Sequence, residues 1–230
     1  MQNKIIALVP AAGLGMRLDD ALPKQYLDLN GFPMIHHALA ALTAVARIGK
    51  VLVILAPGDR HWDSFGWRSF SGKVEVARCG GASRGESVLN GLQHIAPSMD
   101  NSGWVMVHDA ARPCIRVGLI EQFVDELAED PVGGLLAQPL ADTLKAADDN
   151  LRVARTVPRE GLWRAQTPQM FRFGMLRDAL QQRPESTDES QAIEAMGHAP
   201  RLVAGDSFNL KVTFAADLRL ARMLLRGEKQ

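Results

Sequence analysis

The stretch Lys4-Ile5-Ile6-Ala7-Leu8-Val9-Pro10-Ala11-Ala12-Gly13-Leu14-Gly15-Met16-Arg17 decides the fold. Its first part, Lys4–Val9, is short, rich in aliphatic residues and almost continuously apolar, as strands buried on both faces are, and it runs straight into a turn of small residues. Working outward, Val51–Ala56, Val74–Ala77, Trp104–His108 and Gly134–Gln138 read as further strands, the first and third of them nearly as apolar. Helical spacing fills the gaps. From Pro33 to Val45, Ile35, Ala38, Leu39, Leu42 and Val45 fall on one face, with Pro33 suited to a first turn. Arg84–Ile95 and Val117–Glu129 show similar patterns. Strand and helix in alternation predict an α/β fold, with a mostly parallel sheet and helices on both faces. Ligands of such sheets bind beyond the carboxyl ends of the strands. Later segments predict helices at Phe173–Gln182, Asp188–Met196 and Ala215–Leu225, and short strands at Arg201–Ala204 and Leu210–Thr213.

One segment breaks this rhythm. Residues 141–160 turn polar, with Asp148-Asp149-Asn150 as a turn between Thr143–Ala147 and Leu151–Val157, the pattern of a protruding β-hairpin. A hairpin alone is marginal and needs something to lie on, and a second copy of the chain is one candidate. With no repeat or linker, the expectation is a single domain over residues 1–230 carrying an arm at about 141–160.

The 230 residues carry 26 Lys+Arg against 26 Asp+Glu, are 47% hydrophobic and include only two cysteines. That profile excludes a disordered chain and a disulfide scaffold. A net charge of zero argues against a nucleic-acid partner, which normally demands a basic face. The longest apolar run, Ile5–Ala12, falls far short of the roughly 20 residues of a membrane span, and no secretory-type leader is visible, so the expected location is cytoplasmic with no membrane contact. Cys79 and Cys114 have no metal-ligand spacing.

The chemistry-bearing residues cluster after strands. In Pro10–Arg17 the small residues let backbone approach a ligand, and successive N–H groups at Ala11, Ala12, Gly13 and Gly15 make a nest for phosphate oxygens. A dinucleotide fingerprint fails because Leu18 stands where a third glycine is needed, and no Gly-Lys-Ser/Thr ends the loop as in a Walker A motif. The loop offers cations instead, Arg17 and then Lys24 in Pro23-Lys24-Gln25, which suit a polyphosphate. The second constellation is His108-Asp109-Ala110-Ala111-Arg112-Pro113: Asp109 stands where a magnesium ligand would be placed, and Arg112 can reach an anion there. Either residue can equally serve a turn and its ion pair, and His108 reads as packed. Gly81-Ala82-Ser83-Arg84-Gly85 matches the GxSxG elbow of serine hydrolases, with Ser83 as nucleophile. Only His198 allows the usual residue order, and no oxyanion segment accompanies it, so the glycines read better as a flat rim for a planar base, with Ser87 on its edge. Arg159, Thr167, Thr187 and Lys211 lie outside helix interiors and are singly uninformative.

Taken together, Pro10–Arg17, Pro23-Lys-Gln-Tyr26, Val107-His-Asp-Ala-Ala-Arg-Pro113, Trp163-Arg-Ala-Gln-Thr-Pro-Gln169, Thr187-Asp-Glu189 and Asn209-Leu-Lys-Val-Thr213 resemble the 2-C-methyl-D-erythritol 4-phosphate cytidylyltransferases, in order and spacing, from Ile5 to about Leu225. The resemblance implies a Rossmann-like nucleotidyltransferase domain that transfers CMP from CTP to 2-C-methyl-D-erythritol 4-phosphate, with Mg²⁺ or another divalent cation and a homodimer formed through the arm. By the family pattern Arg17 and Lys24 stabilise charge on the α-phosphate and the departing pyrophosphate, and Arg159 and Lys211 hold the attacking phosphate in line. Ala11, Ala12, Gly81 and Ser87 match positions contacting cytidine. Asp109, Ala110, Arg112, Thr143 and Thr187 match the acceptor side, with Thr167 nearby, and Thr143 and Arg159 would serve the neighbouring subunit. Ribitol-5-phosphate cytidylyltransferases share much of the glycine loop and lysines, so ribitol 5-phosphate is the nearest alternative acceptor. Two departures stand out: Ala82 replaces a commonly acidic residue, and Leu210 replaces isoleucine.

Overall fold

The computed structural model describes residues 4–13, 22–70 and 72–227. Gly15 and Arg17 lie outside the described residues. The strands are β1 (Ile5–Pro10), β2 (Asp28–Leu29), β3 (Phe32–Pro33), β4 (Ile48–Ile54), β5 (Val74–Ala77), β6 (Trp104–Val107), β7 (Gly133–Pro139), β8 (Leu144–Ala147), β9 (Val153–Val157), β10 (Trp163–Arg172) and β11 (Arg201–Ala204). The helices are α1 (Met34–Ala44), α2 (Arg84–Ile95), α3 (Val117–Leu127), α4 (Phe173–Gln182), α5 (Glu189–Ala195) and α6 (Ala215–Gly227).

Seven strands form one sheet in the order β11-β7-β10-β6-β1-β4-β5. β1 pairs in parallel with both β4 and β6, and β11 with β7. β10 alone runs antiparallel, against β6 on one side and β7 on the other. The sheet is therefore mostly parallel, as the alternation predicts. β1 shows why its sequence is apolar throughout. Ile5, Ala7 and Val9 pack toward α1 and α3 with Ile35, Leu39, Leu42, Ile120 and Phe123, while Ile6 and Leu8 pack toward α2, α4 and α5 with Leu92, Leu176 and Ile193. Each side chain of this size taken fully out of water contributes about 1.5–3 kcal/mol, so the central strand anchors both layers. α6 closes a smaller cluster through Ala221 with Leu29, Met34, Cys114 and Val212.

The helix starts follow from local chemistry. The Ser83 hydroxyl accepts the Glu86 N–H at 3.0 Å to cap α2, and the Asp188 carboxylate accepts the Gln191 N–H at 2.9 Å to cap α5.

The arm forms where its composition predicts. β8 and β9 make an antiparallel pair whose turn is held by Asp148, which accepts from Asn150 N at 2.9 Å and Arg152 N at 2.8 Å. It springs from β7 and β10, which pair from Pro139 and Trp163 downward, so the arm extends a hairpin. A chain that leaves β7 and folds straight back returns antiparallel, which explains the orientation of β10. Two expectations are corrected here. β10 is a ten-residue strand in a segment read only for its motif. Leu210–Thr213 is not a strand: Val212 is buried, but its N–H reaches the Ala111 carbonyl at 2.8 Å as an isolated bond and no ladder follows.

Candidate active site

A cleft of about 680 Å³ opens at the carboxyl ends of β1 and β6. Its floor is backbone. Ala11 N–H donates to the Ile54 carbonyl at 2.8 Å, and Gln25 Nε2 donates to the Ala11 carbonyl at 2.8 Å, which fixes the Ala11 peptide on both sides. Gly80 packs against Ala12, where a Cβ would come within 2.2 Å of the Ala12 Cβ, so only glycine permits the approach. The rim at Gly81 is held by Ser87, whose Oγ accepts the Gly81 N–H at 3.0 Å and donates to the Ser83 carbonyl at 2.8 Å. The Glu86 carboxylate folds back to accept the Ala82 N–H at 2.7 Å, so the rim that lacks an acid at 82 borrows one from four residues on.

Ala11, Ala12, Gly13, Lys24, Gly81, Ser87, Asp109, Ala110 and Lys211 all line this cleft, as the sequence reading places them in one site. A smaller hollow of about 140 Å³ shares Arg84, Asp109 and Lys211 with the cleft and adds Arg112, Thr167 and Thr187. Thr143 and Arg159 enter neither. Both are exposed on the arm, and the Arg159 guanidinium donates to the Ala141 carbonyl within the arm itself.

Asp109 is the electrostatic centre. Its Oδ1 meets Arg84 Nε at 3.0 Å, its Oδ2 meets Lys211 Nζ at 2.9 Å, and Arg112 Nε lies 3.9 Å from Oδ2. Burial alone would raise its carboxyl, but the charges of Arg84, Lys211 and Arg112 outweigh that and hold it well below the usual carboxylate range. The Asp109 N–H donates to Thr167 Oγ1 at 3.0 Å, which sits 3.2 Å from His108 Nδ1, while His108 Nε2 lies 3.3 Å from the Arg112 carbonyl. With Thr167 donating to Nδ1, the imidazole is neutral and protonated on Nε2. Burial pushes His108 down to about 4, in keeping with that form. His108 is thus a packed, hydrogen-bonded residue, and Thr167 braces the Asp109 turn as well as lining the hollow.

Arg112 is braced by backbone, donating from Nη1 to the Asn209 carbonyl at 2.7 Å. Lys24 Nζ lies 3.3 Å from the Val212 carbonyl, which brings Lys24 and the Asn209–Thr213 segment to one rim. Ser83, read as a possible nucleophile, is the cap of α2 instead, and His198 lines a separate hollow near α5 and β11. The hydrolase reading fails on that geometry.

Sequence reasoning missed Arg84 and Glu189. Arg84 Nη1 and Nη2 grip Glu189 Oε1 and Oε2 at 2.7 and 3.0 Å, and Glu189 is fully buried. Glu189 stands in the quoted Thr187–Glu189 motif and Arg84 in the quoted glycine segment, but nothing local announces that they meet.

Residues 5–227 match the family model for 2-C-methyl-D-erythritol 4-phosphate cytidylyltransferase (IspD). The chain belongs to this family. A cytidylyltransferase of this name from Dechloromonas aromatica is 56% identical over 97% of this chain and 98% of its own length. One from Nitrosospira multiformis is 52% identical over the whole of both chains. Among solved structures, a 4-diphosphocytidyl-2C-methyl-D-erythritol synthase superposes with a TM-score of 0.86 at 34% identity, covering 97% of this chain and 100% of the other. The Francisella tularensis cytidylyltransferase follows at 0.82 and 31%, covering 96% and 99%. The sheet, the cleft and the cation cluster are thus those of a cytidylyltransferase-family chain, and no helix among the described residues is long and apolar enough to cross a membrane.

Proposed function

We propose that this chain transfers CMP from CTP to the phosphate of 2-C-methyl-D-erythritol 4-phosphate, releasing 4-diphosphocytidyl-2-C-methyl-D-erythritol and pyrophosphate. The observation that carries the reading, beside family membership, is that two cation-lined spaces meet at Asp109 and Lys211. The larger space has a backbone floor suited to a nucleotide, and the smaller is walled by Arg84, Arg112 and Lys211. A phosphate monoester is largely ionised near pH 7, so its oxygen attacks the α-phosphorus without a general base. The barrier lies in bringing anions together and holding them in line. Lys24, with Arg17, neutralises charge on the α-phosphate and leaving pyrophosphate, and Lys211 orients the acceptor phosphate. As the new P–O bond to the acceptor forms, the bond to the pyrophosphate oxygen breaks. On the base side, Ser87 Oγ keeps one lone pair after its bonds to Gly81 and Ser83, an acceptor suited to the exocyclic amine of cytosine.

The family pattern also implies Mg²⁺, which supplies charge neutralisation to a bound triphosphate. The residues fit an ion that arrives with its nucleotide rather than a resident one. No cluster of three or more His, Cys, Asp or Glu that could hold a metal forms among the described residues, and both oxygens of Asp109 already face cations. Asp109 would be the protein ligand for such an ion, through lone pairs of the same two oxygens that its contacts to Arg84 and Lys211 leave open.

The homodimer belongs to the same reading. The arm carries Leu151 and Val153 at 90% and 65% exposure, apolar side chains that gain by being covered, and Thr143 and Arg159 are exposed on it and line neither the cleft nor the hollow of their own chain, which suits service to a neighbour's site. Neither Cys79 nor Cys114 is in a disulfide, as suits the reduced cytoplasm.

The test is pyrophosphate release with each nucleoside triphosphate and Mg²⁺, offered methylerythritol phosphate or ribitol 5-phosphate. CTP with methylerythritol phosphate is the expected pair. Faster turnover of ribitol 5-phosphate would overturn the acceptor assignment, and a fully active monomer in sedimentation would overturn the arm's role.

A further inference from the structure

Four charged side chains from four different segments form one line through the site. Glu189, in the first turn of α5, is gripped by both terminal nitrogens of Arg84 at 2.7 and 3.0 Å. Arg84, the first residue of α2, turns its remaining nitrogen Nε to Asp109 Oδ1 at 3.0 Å. Asp109, after β6, holds Lys211 Nζ on its other oxygen at 2.9 Å. Arg84 borders both the cleft and the smaller hollow.

A guanidinium at such a border would ordinarily be taken for a phosphate ligand, because its fork matches phosphate oxygens. Here the fork is already filled. Glu189, with its side chain wholly inside the protein, occupies the bidentate edge, and the Nε–H is spent on Asp109. Arg84 therefore has no paired donors left for an anion. What it does control is the carboxylate beyond it. Lys211 has a flexible four-carbon stem and a side chain 45% exposed, so its ammonium stays at the border only if Asp109 keeps its oxygen there. Asp109 in turn is held in its plane by Arg84 on Oδ1. α2 also begins at the rim that carries Gly81 and Ser87, so the same guanidinium ties the nucleotide side to the acceptor side.

We propose that Arg84, clamped by Glu189, is a positioning residue that orients Asp109 and through it the Lys211 ammonium, and does not itself bind phosphate. This rests on the cytidylyl-transfer reading above. A lysine at 84 has no fork and cannot span both carboxylates, so Arg84→Lys should misplace Lys211. Misplacements on the ångström scale at a reacting centre cost about 100-fold in rate.

Steady-state kinetics on the full-length protein, with CTP and methylerythritol phosphate varied separately, tests this. Arg84→Lys is expected to lower kcat about 100-fold and to raise KM for the acceptor, with KM for CTP within about threefold of wild type. Because Arg84→Lys leaves the buried Glu189 less well paired, the double variant Arg84→Met/Glu189→Met serves as the second arm. It removes the buried pair together, which spares the fold, and should show the same kcat loss and the same split. Wild-type kcat and acceptor KM in either folded variant would overturn the positioning role. So would an equal rise in both KM values, the mark of a general loosening, or a much milder loss in Arg84→Lys than in the methionine pair, the mark of direct phosphate binding, since lysine keeps the charge. A wild-type protein that releases no pyrophosphate from CTP and methylerythritol phosphate would instead overturn the functional reading, and this inference with it.

Discussion

Replacing Asp109 by asparagine keeps the shape of the side chain and removes its charge, so it isolates what that carboxylate does. In the wild type one buried anion faces three cations at 3.0, 2.9 and 3.9 Å. Asparagine can still accept from Arg84 on its oxygen, but its amide then points N–H donors at the Lys211 ammonium, itself donor-only. Removing one partner of a buried ion pair costs about 3–5 kcal/mol. Lys211 is 45% exposed, and its share falls to that of a surface pair, under about 1 kcal/mol. Arg84 keeps Glu189, and Arg112 keeps the Asn209 carbonyl. The expected loss is therefore about 2–3 kcal/mol at pH 7, measured as the difference in urea-unfolding free energy between wild type and Asp109→Asn. The pH dependence checks the cause. The folded Asp109 carboxyl is held below its ordinary 3.8, so the stability it confers is fully present above that value and drains away as pH falls through the folded value. The gap between the two proteins should accordingly stay constant from pH 7 to about 5 and narrow in the acid range below. A loss smaller than about 1 kcal/mol at pH 7, or a gap that widens on acidification, would refute the account of Asp109 as the anchor of the cation cluster.

Lys24→Ala should lower kcat by two or more orders of magnitude, the scale of losing a preorganised charge contact, and a kcat near wild type in a stopped pyrophosphate assay would reject its role. His108 is lowered from 6.5 to about 4, so the unfolded chain takes up the proton first as pH falls. Stability should drop by up to about 3 kcal/mol between those values, and His108→Gln should lose that part of the pH dependence in denaturant titrations at pH 7 and pH 5. Gly134→Ala would set a Cβ within 2.1 Å of the Arg201 carbonyl oxygen, where both partners are backbone and neither can yield. It should destabilise by at least about 1–3 kcal/mol by prying β11 from β7, and an unchanged melting temperature would contradict that packing.

What could be read from the sequence tracks where folding depends on apolar burial. β1 and β6 are legible because both faces of each are covered, which forces nearly every side chain to be apolar. β10 is just as central, between β6 and β7, yet it was invisible. Gln166, Thr167 and Gln169 are buried along it, and their polar groups are satisfied individually: Thr167 by the Asp109 N–H, Gln169 by Asp188 and the Ser190 N–H, Gln166 by the Asp206 carbonyl. Polar residues stabilised by distant partners leave no periodic trace, and Pro168 further disguises a strand. The error at Leu210–Thr213 is the converse: the alternation that buries Val212 is real, but one hydrogen bond to Ala111 does not make a ladder.

The same distinction runs through the site. The glycine loop and Lys24 were legible because close backbone approach demands small residues and a polyphosphate demands cations, both local requirements. The Arg84–Glu189 pair, 105 residues apart, exists only once α2 and α5 are brought end to end. That pair also changes the meaning of the chain's zero net charge. At the site Arg84, Arg112 and Lys211 gather on Asp109 and Glu189, and the two carboxylates lie deeper than Arg84 and Lys211, with side chains 9% and 0% exposed against 25% and 45%. An anion placed beneath its cations orients them, while their outward charge still reaches the cleft. A neutral chain can in this way present a positive pocket to a small polyanion, and the acids that balance the total at the site serve as its scaffold rather than its antagonists.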